Sequence, residues 1–462
     1  MQTLKGRFFA TLFVVLSLLS AQQVRAELIA TTGDANIAFL TPLKNGISEL
    51  TLVWPIDRPT TERVAALRAG LASVVSGGTS SRSSHKIAKY KQLKGIRHYI
   101  ETSRHNLMLT VSAPNEVFPE TLVHLENLLL EPEYSDGWYA RELQYTNPIK
   151  STRTRRPEHV LNEVAKFLEY EPDEAEAEVG DGKFRFGQPI QAILRSGDEE
   201  VERRTLRLVN KLPRPKGKWE LPFAKWAEAL MGTNEEAFTL PTGVIHFADP
   251  DSTEMLILFV KAEEFADEAD QVGTNVLVDY IGANQGSEMF RIIRQEMRAA
   301  YDPRSDFVVM GKKKAIISLS ATVEAVRWPE IHQKIREIYQ SVRSGKIEQE
   351  GLELQFGQLD RTYYRDFFTE PAWGTRQYLH EYPEGADGTI EIPLFGVFQT
   401  LSLEETAKNS NELLPPLDDF LLILIGGGNS PSDTMQSKGY CSLPKSTPLR
   451  YCLDVLSNAE SL

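Results

Sequence analysis

Two side chains seven positions apart offer the clearest chemistry in this sequence. Arg294 and Tyr301 lie in the run from Gln285 to Tyr301, where Phe290, Ile293 and Met297 recur at helical spacing. Ser287 stands at its start, where a hydroxyl can cap free backbone N–H groups. Seven residues are nearly two turns of α-helix, so a guanidinium and a phenol at that spacing can point into one space. Two fixed donors of this kind can stabilise negative charge growing on an oxygen. From the residues alone the plainer reading is favoured: an exposed helix Arg, and a Tyr packed at the start of a strand.

No other constellation competes. The histidines are His85, His98, His105, His124, His159, His246, His332 and His380, and no two stand three or four apart. His159 and Glu163 are four apart on a helical pattern and read as a surface pair rather than a metal site. His98 and His105 flank a strand turn and read as structural. No Gly-x-Ser-x-Gly elbow and no Cys-His arrangement is present, which leaves serine and cysteine catalysis without support. Gly426, Gly427 and Gly428 lack the Lys and the following helix of a phosphate loop. Cys441 and Cys452 are eleven apart with no nearby His, a poor zinc site. In an oxidising compartment they could close a small loop; as free thiols they would sit in a C-terminal tail. Both readings stand.

The elements that must position Arg294 and Tyr301 come in two similar sets. In the first half, Thr60 to Val75 is helical, with Val64, Leu67, Leu71 and Val74 on one face. A second helix spans His85 to Leu93, a strand Asn106 to Ala113, and a long helix Pro119 to Leu130. In the second half, a helix spans Glu268 to Ile281, followed by the Arg294 helix. Strands over Asp306 to Met310 and Ala315 to Ala321 come next, then a long helix from Trp328 to Arg343. Val111 and Leu319 are 208 positions apart, and Leu129 and Ile338 are 209 apart. That steady offset, with the shared order of elements, implies an internal duplication. The spacing predicts one domain over 27–211, a Pro/Gly linker over 212–225, a second domain over 226–428 and a polar tail over 429–462. The acidic run 169–181 reads as a solvated loop or helix end rather than a docking surface.

Lys5 and Arg7 precede the uncharged apolar run Phe8 to Ser20, and Val24, Arg25 and Ala26 form a small-x-small site. That pattern predicts a secretory signal peptide over 1–26, too short to serve as a membrane anchor. The chain is thus expected to be secreted. A quarter of the residues are charged and 41% are apolar, which suits a globular protein. The net charge of −13 argues against nucleic acid and anionic membrane surfaces.

The frame Ser287-x-x-Phe290-x-x-Ile293-Arg294-x-Glu296-x-x-x-Ala300-Tyr301 resembles a segment of the M16 (insulinase, or pitrilysin-like) zinc peptidases. Weaker likenesses follow in the family's order. They include Gly187, Gln188 and Pro189 with the stretch Arg195 to Val201, and the segment Ile347 to Gln358. The resemblance implies an α+β fold of two homologous α/β rolls, each a mostly antiparallel sheet covered by helices. It implies that Arg294 and Tyr301 bind the substrate carbonyl. The family carries zinc on an inverted His-x-x-Glu-His motif in the first helix of its N-terminal half. Gly70, Leu71 and Ala72, with Gly78 and Thr79, fit that frame, but Ser73 takes the place of the first His, and no Glu or His follows on the helix. Where the family has Gly four residues after its Arg, this chain has Arg298. The resemblance therefore implies a non-catalytic subunit of a heterodimeric peptidase, with no cofactor in this chain. Zinc is expected in the partner, an M16 homologue with an intact His-x-x-Glu-His, and the substrate would be an extended peptide. The alternative is a periplasmic peptide-binding or scaffold protein with no peptidase role.

Overall fold

The structure, a computed structural model, describes residues 25–32, 35–56, 60–103, 106–133, 136–146, 156–169, 186–213, 238–311, 313–373, 375, 389–391, 393–427, 431, 439–444 and 447–460. The expected signal peptide up to residue 24, nearly all of the expected linker, the acidic run from residue 170, His105 and His380 lie outside the described residues.

The strands in chain order are β1 (Arg25–Thr32), β2 (Ala35–Phe39), β3 (Ile47–Pro55), the two-residue β4 (Gly78–Thr79), β5 (Arg97–Ser103), β6 (Asn106–Pro114), the two-residue β7 (Pro132–Glu133), β8 (Gln191–Arg195), β9 (Gly243–Ala248), β10 (Glu254–Glu264), β11 (Arg304–Gly311), β12 (Lys314–Glu324), β13 (Thr389–Glu391), β14 (Leu421–Gly426) and β15 (Tyr440–Pro444). They form two large sheets, ordered β13-β1-β2-β8-β3-β6-β5 and β11-β12-β10-β14-β9-β15, and the small pair β4-β7. Within them β2-β8-β3-β6-β5 and β9-β14-β10-β12-β11 run in the same order. In each set the first pair is parallel and the rest antiparallel. The duplication read from the steady offset is thus a repeated sheet topology.

Helices α1 (Thr61–Ser76), α2 (Ser84–Lys94), α3 (Phe118–Leu130), α4 (Asp136–Thr146), α5 (Pro157–Glu169) and α6 (Glu199–Lys211) accompany the first half; α7 (Glu268–Gly282), α8 (Trp328–Arg343), α9 (Gln349–Thr369) and α10 (Leu449–Glu460) accompany the second. Period-two alternation on β3 and β6 turns Leu50, Leu52, Leu109 and Val111 to one face of the first sheet, where Leu71, Val74, Leu122, Leu125 and Leu208 cover them. The second sheet is covered on both faces. Met255, Ile257 and Phe259 on β10 meet α7 and α8 through Val276, Ile281, Ile331 and Ile335. Leu256, Leu258 and Val260 meet α5 and α10 through Val160, Val164, Leu453 and Leu456. Burial on both faces explains why β10 reads as a continuous apolar run without alternation.

Two segments cross between the halves. β13, from beyond residue 388, pairs antiparallel with β1 at the edge of the first sheet, while α5, from before the linker, packs on the second. The C-terminal segment differs from the polar tail expected over 429–462. β15 pairs in parallel with β9, and α10 buries Leu449, Cys452, Leu453 and Leu456. Their i, i+3, i+4, i+7 spacing is an amphipathic signal that the polar composition of the segment concealed. Cys441 on β15 and Cys452 on α10 are joined in a disulfide, which decides between the two readings of these thiols. Among the described residues no helix is long and apolar enough to cross a membrane.

Candidate functional site

Arg294 and Tyr301 meet, but not on two turns of one α-helix. After α7 the chain turns at Asn284, whose Oδ1 accepts from the Gly286 N–H at 2.9 Å. Asn284 Nδ2 donates to the side-chain oxygens of Gln355 and Gln358 on α9, at 2.5 and 2.9 Å. The fully buried Ser287 donates its hydroxyl to Asn284 O at 2.6 Å, so it ties down the turn rather than capping the helix. Phe290–Glu296 is then a π-helix, closed by Met297 N–H on Ile292 O at 2.9 Å. The wider turn places Met289 and Ile293 in the core and leaves Phe290 half-exposed, in place of the expected stripe of Phe290, Ile293 and Met297.

The helix stops at Arg298, which takes a left-handed conformation with φ of 51°. This is the position where the M16 frame has Gly, so the chain keeps the turn with a residue that resists it. Ala299 is buried, Ala300 bridges to Val323 on β12, and Tyr301 is released to solvent at 82% exposure. The turn folds Tyr301 back onto the helix. Arg294 lies with its guanidinium carbon 4.0 Å from the Tyr301 ring centre and 5.2 Å from that of Phe290. Its Nη1 donates to the Tyr301 carbonyl oxygen. The guanidinium is thus oriented by two aromatic rings and by one backbone acceptor, and the phenol is exposed to water.

Neighbouring charges brace the π-helix. Arg291 pairs with Glu288 at 2.7 Å and with Glu296 at 2.6 Å. Sequence reasoning missed this brace and the Phe290 contact. Glu288 and Arg291 at i, i+3 were a usable signal; no spacing rule announces the π-turn that brings Glu296 to Arg291.

The place expected for a zinc motif lies on α1. Ser73 is buried one turn before the helix ends, and its carbonyl accepts from Gly77 N–H at 2.8 Å. Residues three and four further on, where Glu and the second His would follow, are Ser76 and Gly77. A Cβ at Gly77 would lie 2.6 Å from Ser73 O and 3.1 Å from Glu133 O, so an imidazole does not fit there. The end of α1 therefore suits neither the ligands nor the space of a zinc site. Among the described residues no three His, Cys, Asp or Glu side chains gather as a metal would need. Elsewhere, Glu163 of the His159/Glu163 spacing accepts from Leu449 N–H at the start of α10 at 3.3 Å.

No family model matches the sequence, and no curated protein matches it. Solved structures do. A protease from Helicobacter pylori superposes with a TM-score of 0.66 at 11% identity, over 87% of this chain and 100% of that one. A peptidase M16 inactive domain from Pseudomonas fluorescens gives 0.63 at 12% identity, over 88% and 100%. The periplasmic protease PqqL from Escherichia coli gives 0.62 at 12% identity, over 87% of this chain and 47% of that one, about half its length.

Proposed function

From the M16 peptidase fold that this chain has, we propose that it is the non-catalytic subunit of a periplasmic, heterodimeric zinc peptidase. Its partner, a homologue with an intact His-x-x-Glu-His helix, supplies the zinc. This chain supplies Arg294 and Tyr301, which bind the carbonyl of an extended peptide. The observation that carries the reading is the Arg294–Tyr301 pair itself. An oriented guanidinium and an exposed phenol stand together on a peptidase-like scaffold whose own α1 has no room for zinc ligands. The guanidinium has donors left after its bond to the Tyr301 carbonyl, and a peptide carbonyl brought between it and the phenol would take them.

The test is a pull-down of the mature chain from periplasmic extract, with zinc and peptidase activity assayed on the eluate. A zinc-bearing homologue should co-elute, with activity that needs both chains. Arg294→Ala and Tyr301→Phe should each lower the activity of the mixed complex by a factor of roughly 100 while leaving assembly intact. Recovery of the chain alone, or an unchanged rate in both variants, would leave a periplasmic peptide-binding or scaffold protein instead.

A further inference from the structure

A second group of side chains, remote in sequence from Arg294, lies between α2, α3 and the edge strand β5. His124 on α3 is buried, at 6% exposure, and its Nε2 has no hydrogen-bond partner. Tyr90 of α2 meets it edge-on, with ring centres 5.1 Å apart. His98 on β5 has both ring nitrogens buried and both without a partner. Lys91, one turn beyond the buried Ile87 of α2, is half-buried, and its charge is felt by both imidazoles. Arg82 lies over the Tyr90 ring at 5.2 Å.

The charges in this group act on one another. Burial, then Lys91, then His124 hold His98 well below its ordinary value. Burial, then Lys91 and Arg82 bring His124 down to about 4. Burial alone brings Lys91 down to about 8. The carboxylate nearest by, Glu120, is held at 3.0 Å by Lys94 and also bonds the Tyr90 hydroxyl. No acid contributes to the charge felt by Lys91, His98 or His124.

Buried nitrogen atoms without partners are rare in folded proteins and ask for an explanation. Packing alone does not supply one, because apolar side chains would fill the same space at no polar cost. A metal cation would meet the Lys91 ammonium and the Arg82 guanidinium. An anion would meet what the group lacks. We propose that Lys91, His98 and His124 form a binding site for one small oxyanion, of the sulfate, phosphate or carboxylate type. Lys91 supplies the charge, and each imidazole supplies an N–H. The site is independent of the peptidase reading.

Calorimetric titration of the mature chain with sodium sulfate, against sodium chloride of equal ionic strength, tests the site. Sulfate does not titrate near neutrality, so any pH dependence belongs to the protein. The expected result is one sulfate per chain, with protons taken up on binding and affinity rising as pH falls through about 8, where Lys91 gains its proton. Lys91→Gln and His98→Gln should each weaken binding about tenfold or more, a loss of roughly 1.4 kcal/mol. Sulfate also stabilises proteins in general, but that effect is common to all variants and drops out of the comparison. Acetate in a parallel arm separates a carboxylate-type ligand, which would also bind, from a tetrahedral one, which acetate would not replace. No saturable sulfate or acetate binding overturns the proposal. So does equal binding in Lys91→Gln and His98→Gln, or stoichiometric Zn²⁺ binding that His98→Gln abolishes.

Discussion

Glu49 on β3 and Arg195 on β8 are register partners in the first sheet, and the end of α9 closes over both. The Glu49 carboxylate accepts from Ala372 N–H at 2.6 Å and from the Thr375 hydroxyl at 2.7 Å. Arg195 donates to Thr41 O and Phe367 O and stacks on the Phe367 ring at 4.7 Å. Both side chains are fully buried, so burial raises the Glu49 pKa and lowers that of Arg195 to about 10. The two charges offset each other at the seam between the halves.

Removing one member of that pair should therefore cost more than removing a surface charge. Arg195→Met strands a buried carboxylate and is expected to destabilise the chain by about 3–5 kcal/mol. Glu49→Gln keeps an acceptor for Ala372 but takes the counter-charge from Arg195, which still holds its bonds to Thr41 O and Phe367 O, so it should cost less, roughly 1–3 kcal/mol. Urea unfolding of both variants, with hydrogen exchange followed over 367–375, checks the order; equal costs would contradict it.

Asp279 on α7 carries a pH dependence of a defined sign. Burial first, and Asp306 second, raise its pKa from 3.8 to about 7. The folded state then holds a proton that the unfolded chain releases, so stability falls as pH rises from about 4 to 7 and stays reduced above that. Asp279→Asn should stabilise the protein at pH 8 by on the order of 2–4 kcal/mol and leave it nearly unchanged at pH 4. Denaturant melts at the two pH values would show the gap, or its absence.

Arg298 sits in a conformation that suits glycine. Left-handed backbone costs a side-chain-bearing residue about 1–2 kcal/mol, of which the added freedom of an unfolded glycine takes back roughly half. Arg298→Gly is expected to raise stability by about 0.5–1 kcal/mol and to keep Tyr301 on Arg294. Arg298→Val should lower stability and free the tyrosine, visible as a changed Tyr301 ring signal by NMR.

Writing a His-x-x-Glu-His motif onto α1 should not create a metal site. Ser73→His, Ser76→Glu and Gly77→His together place a Cβ against the Ser73 carbonyl, 2.6 Å away, and the helix end must yield. The expected outcome is a loss of about 1–3 kcal/mol in stability and no stoichiometric zinc by elemental analysis. One tightly held zinc per chain would show that α1 can lengthen.

Much of the fold was legible because each element buries one face. The stripe Val64, Leu71 and Val74 and the long helix Trp328–Arg343 follow from spacing alone. The parallel arrival of β15 and the amphipathic α10 were hidden, since a polar composition masks four apolar residues on one helix face. At the candidate site the sequence showed which two residues matter to each other. It did not show how, because a π-turn and a left-handed arginine break the α-helical arithmetic that relates residue 294 to 301. The Lys91, His98 and His124 group escaped detection because its members are spread over three elements that only the fold brings together.

The exchange of β13 and α5 between the halves has a consequence for biosynthesis. During translation the first sheet waits for residues 389–391 before β1 gains its outer neighbour, and α5 waits on the strands from residue 243 onward before its apolar face finds cover. Neither half is a finished unit when it leaves the ribosome or a translocation pore. A truncation near the linker should therefore yield an aggregating fragment rather than a smaller working domain, and folding should commit only once nearly the whole chain has emerged.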